Sequence, residues 1–295
     1  MLRIENTEVL GWEHAIRGMR NPMNSWEKSD SGWRYVAPAQ REGHILASTF
    51  DDSEFWIGPN DAKLMMNLRN AGTDHRKFMR MIAVYVDILA PLYWWKEFDT
   101  YKVGTVANSC STMHKIAAKE FEPKDFSHEH LIYPSYQHLE KTIDLLNIYR
   151  WCYTKYDDLK NGVFPVSHEV GDIIENMTKK DIWWQMIQLL PSSYNQKRTV
   201  MLNYEVLANI YKSRRNHKLD EWHTFCDWIE GLPYSELITG MEPISHEVVS
   251  DSTSLFLKKS MTIPEEWPSA TKEASKAFEE LGQAIDKIQK PDKEE

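Results

Sequence analysis

The sequence has only three cysteines, Cys110, Cys152 and Cys226, an odd number without a CxxC spacing. That argues against a disulfide framework and fits a reducing compartment. Glycine is scarce too, at 12 residues, and no run of it builds a P-loop or a GxGxxG fingerprint. Most common nucleotide enzymes are thereby excluded. There is no GxSxG nucleophile elbow and no HExxH zinc motif. No long apolar run is present: Met81 to Trp95 comes nearest and is interrupted by Asp87 and Pro91. It is too short to span a membrane. The first ten residues, MLRIENTEVL, carry charges where a signal peptide needs an apolar stretch. An excess of positive charge is also missing, since the net charge is −9. General nucleic-acid binding, which needs a basic face, is not expected. A small anion held by two or three local cations is compatible with that balance. The expectation is a soluble, cytoplasmic protein without membrane association.

Hydrophobic residues make up 42% and aromatics 12%, the composition of a compact globular protein. Twelve tryptophans indicate a thick core before they indicate an aromatic-walled pocket. Residues 1–12 read as a short strand. Residues 13–60, with Gly, Pro and Asn21-Pro22 punctuation, read as short elements and loops. Residues 61–71 read as a helix stopped at Gly72. Residues 79–90 read as a buried strand, followed by a helix opened by Pro91 in PLYWWKEF. Residues 137–160 predict a long helix buried on more than one side, and 180–190 a helix ended by Pro191. Two more helices are predicted at 196–215 and 218–230, with a basic turn between them. Pro264 and Pro268 precede a predicted helix over 270–288 with a narrow apolar stripe, and the tail PDKEE reads as disordered. The expected division is one domain over 1–262 and a helical appendage with its tail over 263–295.

Several groups could carry chemistry. The segments around His168 and His246 echo each other as Pro-x-Ser-His-Glu-Val. They read as serine N-caps with an acid in the first turn rather than as paired ligands. His128 and His130 share a face only in an extended segment, and with His114 and His138 they lack a zinc spacing. Cys110, between Ser109 and Ser111, reads as a buried, unreactive cysteine. Lys212, Arg214, Arg215, His217 and Lys218 crowd a helix end, with Lys197 and Arg198 at the other end of the same helix. They fit either a solvated cap or a phosphate site.

The tract TYKVGTVANSCSTMHK, after IAVYVDILA and PLYWWKEF, resembles the signature region of the flavin-dependent thymidylate synthases. That family places Arg-His-Arg, two residues, Ser, one, Asn-Glu, one, Ser, one, Arg-Tyr at this point. Here Thr100, Tyr101 and Lys102 stand for the Arg-His-Arg, and Thr105 for the first Ser. Asn108 and Ser111 fit the Asn and second Ser if one residue is inserted, and Met113-His114 replaces the final Arg-Tyr. His75 has the spacing of a flavin-contacting histidine. The stretch from Leu189 to Ile229 is similar to the family's second block, with Glu221-Trp222 for its Gln-Trp. The likeness covers residues 73–115 and 189–229.

The resemblance implies an α/β (α+β) fold with a central, mostly antiparallel sheet flanked by helices. It implies a homo-oligomer, a tetramer in the family, whose sites draw on several chains. It assigns His75, Lys102, Asn203 and Asn209 to FAD. Asn108, Ser111, Arg214 and Arg215 fall to a nucleotide, dUMP, with Ser111 as the catalytic residue and no metal. NADPH and methylenetetrahydrofolate would be the co-substrates. The chain departs from the family where two of three leading basic residues and the final arginine are gone, and where Ile187-Gln188 replaces an arginine. Each charged hydrogen bond lost costs roughly 1.5–3 kcal/mol of binding. Three functions stay open at this point: a divergent synthase, a nucleotide-binding or ligand-sequestering protein without turnover on the same fold, and an interaction protein using its aromatic surface.

Overall fold

A computed structural model of the chain describes residues 2–35 and 53–240. The expected helix over 270–288, the tail, the appendage and the echo at His246 lie outside the described residues.

The fold is built around β4, Ala83–Pro91. Successive strand side chains point to opposite faces. Val84, Val86, Ile88 and Ala90 are therefore buried, while Tyr85 is exposed. β4 pairs antiparallel with β1, Arg3–Leu10, and with β6, Asn195–Asn203. β5, Val106–Ser109, adds to the far side of β6, giving the order β1-β4-β6-β5. The register sets Val84 opposite Leu202 and Val86 opposite Val200, so the buried rows share one face. A separate two-stranded sheet joins β2, Gly32–Tyr35, to β3, Ser53–Trp56.

The buried face packs against helices α1, Trp12–Arg20, and α2, Pro59–Asn70, and against α3, Leu92–Phe98. It also packs against α9, Tyr204–Arg214, α10, Asp220–Glu230, and α11, Glu236–Thr239. Trp94, Trp95, Trp222, Tyr204 and Phe225 fill this core, as expected for part of the tryptophan set, while Trp26, Trp33 and Trp184 are exposed. Each buried large apolar side chain is worth roughly 1.5–3 kcal/mol. α4, Thr112–Lys115, is a single turn after β5. Beyond it, α5, Tyr133–Thr154, sends Leu139, Ile143 and Leu146 into one cluster and Cys152 into another. These clusters also hold residues of α6, Tyr156–Lys160, α7, His168–Asn176, and α8, Lys179–Leu189. Burial on more than one side of the long helix is confirmed.

The architecture is thus a mixed α/β fold whose main sheet is antiparallel and flanked by helices. Two local expectations are corrected. Residues 196–215 are not one helix, because the first half is β6. That strand is hydrogen-bonded on both sides and alternates with a period of two, burying Gln196, Val200 and Leu202. Lys197 and Arg198 therefore lie in a strand rather than at a helix end. The stretch 13–60 also contains a regular nine-residue helix, α1. It starts after Gly11, whose φ of 95° suits glycine and where a Cβ would lie 2.1 Å from the Met81 carbonyl oxygen. No helix among the described residues is long and apolar enough to cross a membrane.

Candidate functional site

Residues 99–105 leave the end of α3 and run beside α9. Asn203 is the N-cap of α9: its Oδ1 accepts from the Val206 backbone N–H at 3.1 Å. Its Nδ2 donates to the Gly104 carbonyl at 3.4 Å. Gly104 has a φ of 79°, and a Cβ there would lie 2.9 Å from that amide nitrogen. Near the other end of the helix, Arg214 Nε donates to Tyr101 Oη at 2.9 Å. The strap is therefore fastened at both ends of α9.

Arg214 is the last residue of α9, where a cation is favoured by the helix dipole. Its Nη1 donates to Glu97 Oε2 at 2.7 Å, and Trp222 Nε1 donates to the same oxygen at 3.0 Å. His217 Nε2 lies 3.3 Å from it. The guanidinium carbon sits 4.8 Å from the Trp222 ring and 5.6 Å from the Tyr101 ring, within cation–π range. α3 supplies Glu97 because its Trp94, Trp95 and Phe98 point into the core, leaving the carboxylate half-buried at the rim. Arg215 turns toward α10, to Asp227 at 2.7 Å and Glu230 at 3.2 Å. Glu230 also accepts from Tyr211 at 2.7 Å; burial first, then this acceptor, pushes the phenol up to about 12. An open depression of about 520 Å³ lies on this side, lined by Arg215, Asn216, His217, His223 and Asp227.

The other expected residues are placed as follows. Lys102 is exposed, and its ammonium has no partner among the described residues. Nearby, the hydroxyl of Thr105 is buried and unpaired among them. Asn108 is exposed on β5, opposite Thr199. Ser111 caps α4: its Oγ accepts from the His114 backbone N–H at 3.1 Å and lies 2.9 Å from His114 Nδ1. His75 is exposed, with no side-chain partner among the described residues. Asn209 Oδ1 accepts from Arg76 Nη2 at 2.9 Å, which sets the segment carrying His75 against α9. Arg76 and Arg80 both pair with the buried Glu205 of that helix. The structure thus gathers Tyr101, Glu97, Arg214, His217 and Trp222 into one cluster. It links Gly104 to Asn203 and ties the neighbour of His75 to Asn209. It makes no hydrogen bond from Asn108 or Ser111 to the Arg214 cluster among the described residues.

Cys110 is exposed, not buried, because it follows the edge strand of the sheet. Burial pushes the thiols of Cys152 and Cys226 up to about 11. Of the histidines, His128 Nδ1 lies 2.8 Å from the Phe126 carbonyl oxygen, and His130 lies 3.3 Å from Asp220. Ser167 caps α7 as expected, accepting from the Val170 N–H at 3.4 Å. Glu97 is the residue that sequence reasoning passed over. Its one local signal is a carboxylate in the helical turn just before Thr100-Tyr101-Lys102.

A fold with an antiparallel sheet, a tryptophan-rich core and a strap along α9 can be set beside known proteins. No protein-family model matches the chain, and no curated protein matches its sequence. Among solved structures the chain is similar to the flavin-dependent thymidylate synthase ThyX from Helicobacter pylori complexed with FAD and dUMP. The TM-score is 0.50 at 14% identity, covering 81% of this chain and 98% of that one. A second structure of that enzyme with FAD and dUMP gives 0.49 at 13% identity, with coverage of 81% and 98%. The UMP/dUMP methylase PolB from Streptomyces cacaoi, bound with 5-Br UMP, gives 0.42 at 12% identity, covering 78% and 88%. The first of these likenesses is one of fold.

Proposed function

We propose that this chain is a divergent protein of the flavin-dependent thymidylate synthase type, binding FAD and a uridine ligand along the strap and α9. The observation that carries this reading is the strap itself. It brings Tyr101 and Lys102, two of the three residues standing for the family's leading motif, alongside Asn203 and Arg214 of the second block. In this reading Lys102 and His75, whose side chains are uncommitted among the described residues, meet the flavin. Asn203 and Asn209 are already bonded within the fold and shape the backbone around it instead. Arg214, Arg215, Asn108 and Ser111 face a uridine nucleotide, with Ser111 at the reacting base. Bound FAD supplies the hydride chemistry, and with NADPH and methylenetetrahydrofolate the reaction class is one-carbon transfer to dUMP. Residues of other copies complete the site in a homotetramer.

A second reading is favoured by a specific observation. Arg214, Arg215 and Arg198, the cations a nucleotide phosphate would use, are each held by a carboxylate: Glu97, Asp227 with Glu230, and Asp99. On that reading the protein binds its ligand without turnover. The near-ultraviolet and visible absorbance of the purified protein, with FAD and then dUMP added, separates the two. A bound-flavin band perturbed by dUMP, followed by one-carbon transfer in an assay, supports the enzyme. The same band without transfer supports the binding protein. No flavin uptake by the folded chain overturns the enzyme and leaves the binding protein.

A further inference from the structure

We infer that Arg76 and Arg80 seat the diphosphate of the flavin cofactor, supplying from the segment after His75 the charge that the strap has lost. The inference rests on the reading that the strap and α9 hold FAD, and it adds two residues to that site. Both guanidiniums converge on one carboxylate. Arg80 Nε donates to Glu205 Oε2 and its Nη2 to Oε1 at 3.3 Å, while Arg76 Nε lies 3.6 Å from Oε1. The Glu205 side chain is 9% exposed, whereas that of Arg80 is 60% exposed. Two like charges are held this close by the buried anion between them. One guanidinium balances Glu205, and the second is surplus. Arg69 adds a further cation nearby: burial, and after it the Arg76 charge, hold its guanidinium below the ordinary value. Asp74 also acts on Arg80. Arg69, Arg76 and Arg80 against Glu205 and Asp74 leave a positive excess, in a chain whose net charge is −9.

Donors are available too. Arg80 spends two of its N–H groups on Glu205, which leaves both Nη1 hydrogens and one Nη2 hydrogen without an acceptor among the described residues. Arg76 spends one, on Asn209 Oδ1 at 2.9 Å, and its buried Nε has no hydrogen-bond partner among them. The bond to Asn209 also fixes the seat on α9. Successive helical residues turn by about 100°, so Glu205, Asn209, Ser213 and Val206 follow one another round a single side of the helix. Glu205 meets the arginines, and Val206 meets the strap, where a Cβ on Gly104 would lie 3.2 Å from its Cγ2. Asn209 and Ser213, both exposed, run between. The segment of His75 and Arg76 thus stands on one side of an exposed line of α9, and the strap of Lys102 on the other. A flavin along that line carries a negative charge on each phosphate, more than Lys102 alone balances. Guanidinium forks match phosphate oxygens. Arg214, Arg215 and Arg198, by contrast, each face at least one carboxylate of their own.

Flavin fluorescence titration of the full chain tests this with FAD, with riboflavin, which lacks the diphosphate and the adenosine, and with inorganic pyrophosphate as competitor. The expected result is that FAD binds about tenfold or more tighter than riboflavin, and that pyrophosphate competes with FAD but not with riboflavin. Arg80→Gln, which removes the charge, should weaken FAD about tenfold and leave riboflavin unchanged. Riboflavin as tight as FAD in the wild type overturns the inference and leaves flavin binding standing. So does an FAD preference that excess pyrophosphate leaves unchanged, since the gain then belongs to the adenosine end. An equal loss of both flavins in Arg80→Gln overturns it as well, because a role in the fold alone explains that. Binding of neither flavin overturns the inference together with the enzyme reading. The wild-type titrations decide the matter even if Arg80→Gln does not fold.

Discussion

Arg20 and Asp61 join α1 to α2 with side chains 5% and 0% exposed, whereas Arg214 and Glu97 join α9 to α3 at 18% and 35%. In the first pair Asp61 Oδ1 accepts from Arg20 at 2.6 Å. Its Oδ2 accepts from the Ser29 and Ser31 hydroxyls, each at 2.7 Å, and from the Asp30 and Ser31 backbone N–H groups. Arg20 spends its other nitrogens on the Ser25 and Lys28 carbonyls. Both partners are fully occupied, as burial requires. The second pair leaves one carboxylate oxygen open at a half-exposed rim. A closed pair fixes the fold, and an open pair leaves an acceptor at the surface.

The sharpest way to break that contrast is Asp61→Ala. It strands a buried guanidinium and should cost about 3–5 kcal/mol, read as a lower denaturant midpoint at an unchanged m-value. A loss under 1 kcal/mol would place Arg20 in contact with water and end the contrast. The same carboxylate predicts a pH dependence. Burial pushes the Asp61 carboxyl up, but bonds from Ser29, Ser31 and Arg20 outweigh it and hold the group below its ordinary value of about 3.9. A depressed folded value means stability that is full above about pH 4 and lost as pH falls through the lowered value. Denaturant curves of the wild type and Asp61→Asn should therefore converge on acidification below about pH 4.

Gly104→Ala comes next. The left-handed backbone and the approach to Asn203 should cost about 1–3 kcal/mol and loosen the strap from α9. Amide hydrogen exchange over residues 99–105 should rise while the core stays protected. At the open pair, Glu97→Gln should cost about 1 kcal/mol or less in unfolding free energy, as expected for a solvent-screened ion pair. A loss as large as that of Asp61→Ala would make the rim pair structural too. The smallest effect concerns thiols. A disulfide reagent should titrate one cysteine, Cys110, in the native protein and all three after unfolding. Two reactive thiols before unfolding would mean that one of the helical clusters opens.

Much of the fold was legible where a single signal dominated. Pro91 and the tryptophans marked α3, Pro191 marked the end of α8, and the Val-Ile run marked β4. The junction at Asn203 was not legible. Val200 and Leu202 run into Val206 and Leu207 without a Gly or Pro, so one apolar pattern masks the change from strand to helix. α1 hid because it starts after a positive-φ glycine packed against the Met81 carbonyl, far away in the chain. At the candidate site, Arg214 and Tyr101 stood out as residue types in a recognisable order. Glu97 did not, because its importance comes from Trp222 and His217, more than a hundred positions away, meeting one of its oxygens.

In mechanical terms the strap over residues 99–105 is a short beam pinned near each end of a stiff rod. The pin at Gly104 is backbone held by the cap of α9, and the pin at Tyr101 is one phenol on one guanidinium. Load applied to Arg214 reaches the Tyr101 pin first, which at 2.9 Å from a charged donor is the firmer of the two, against 3.4 Å at Gly104. The beam would then swing about Gly104 and carry Lys102 with it, so whatever draws on the arginine also repositions the lysine.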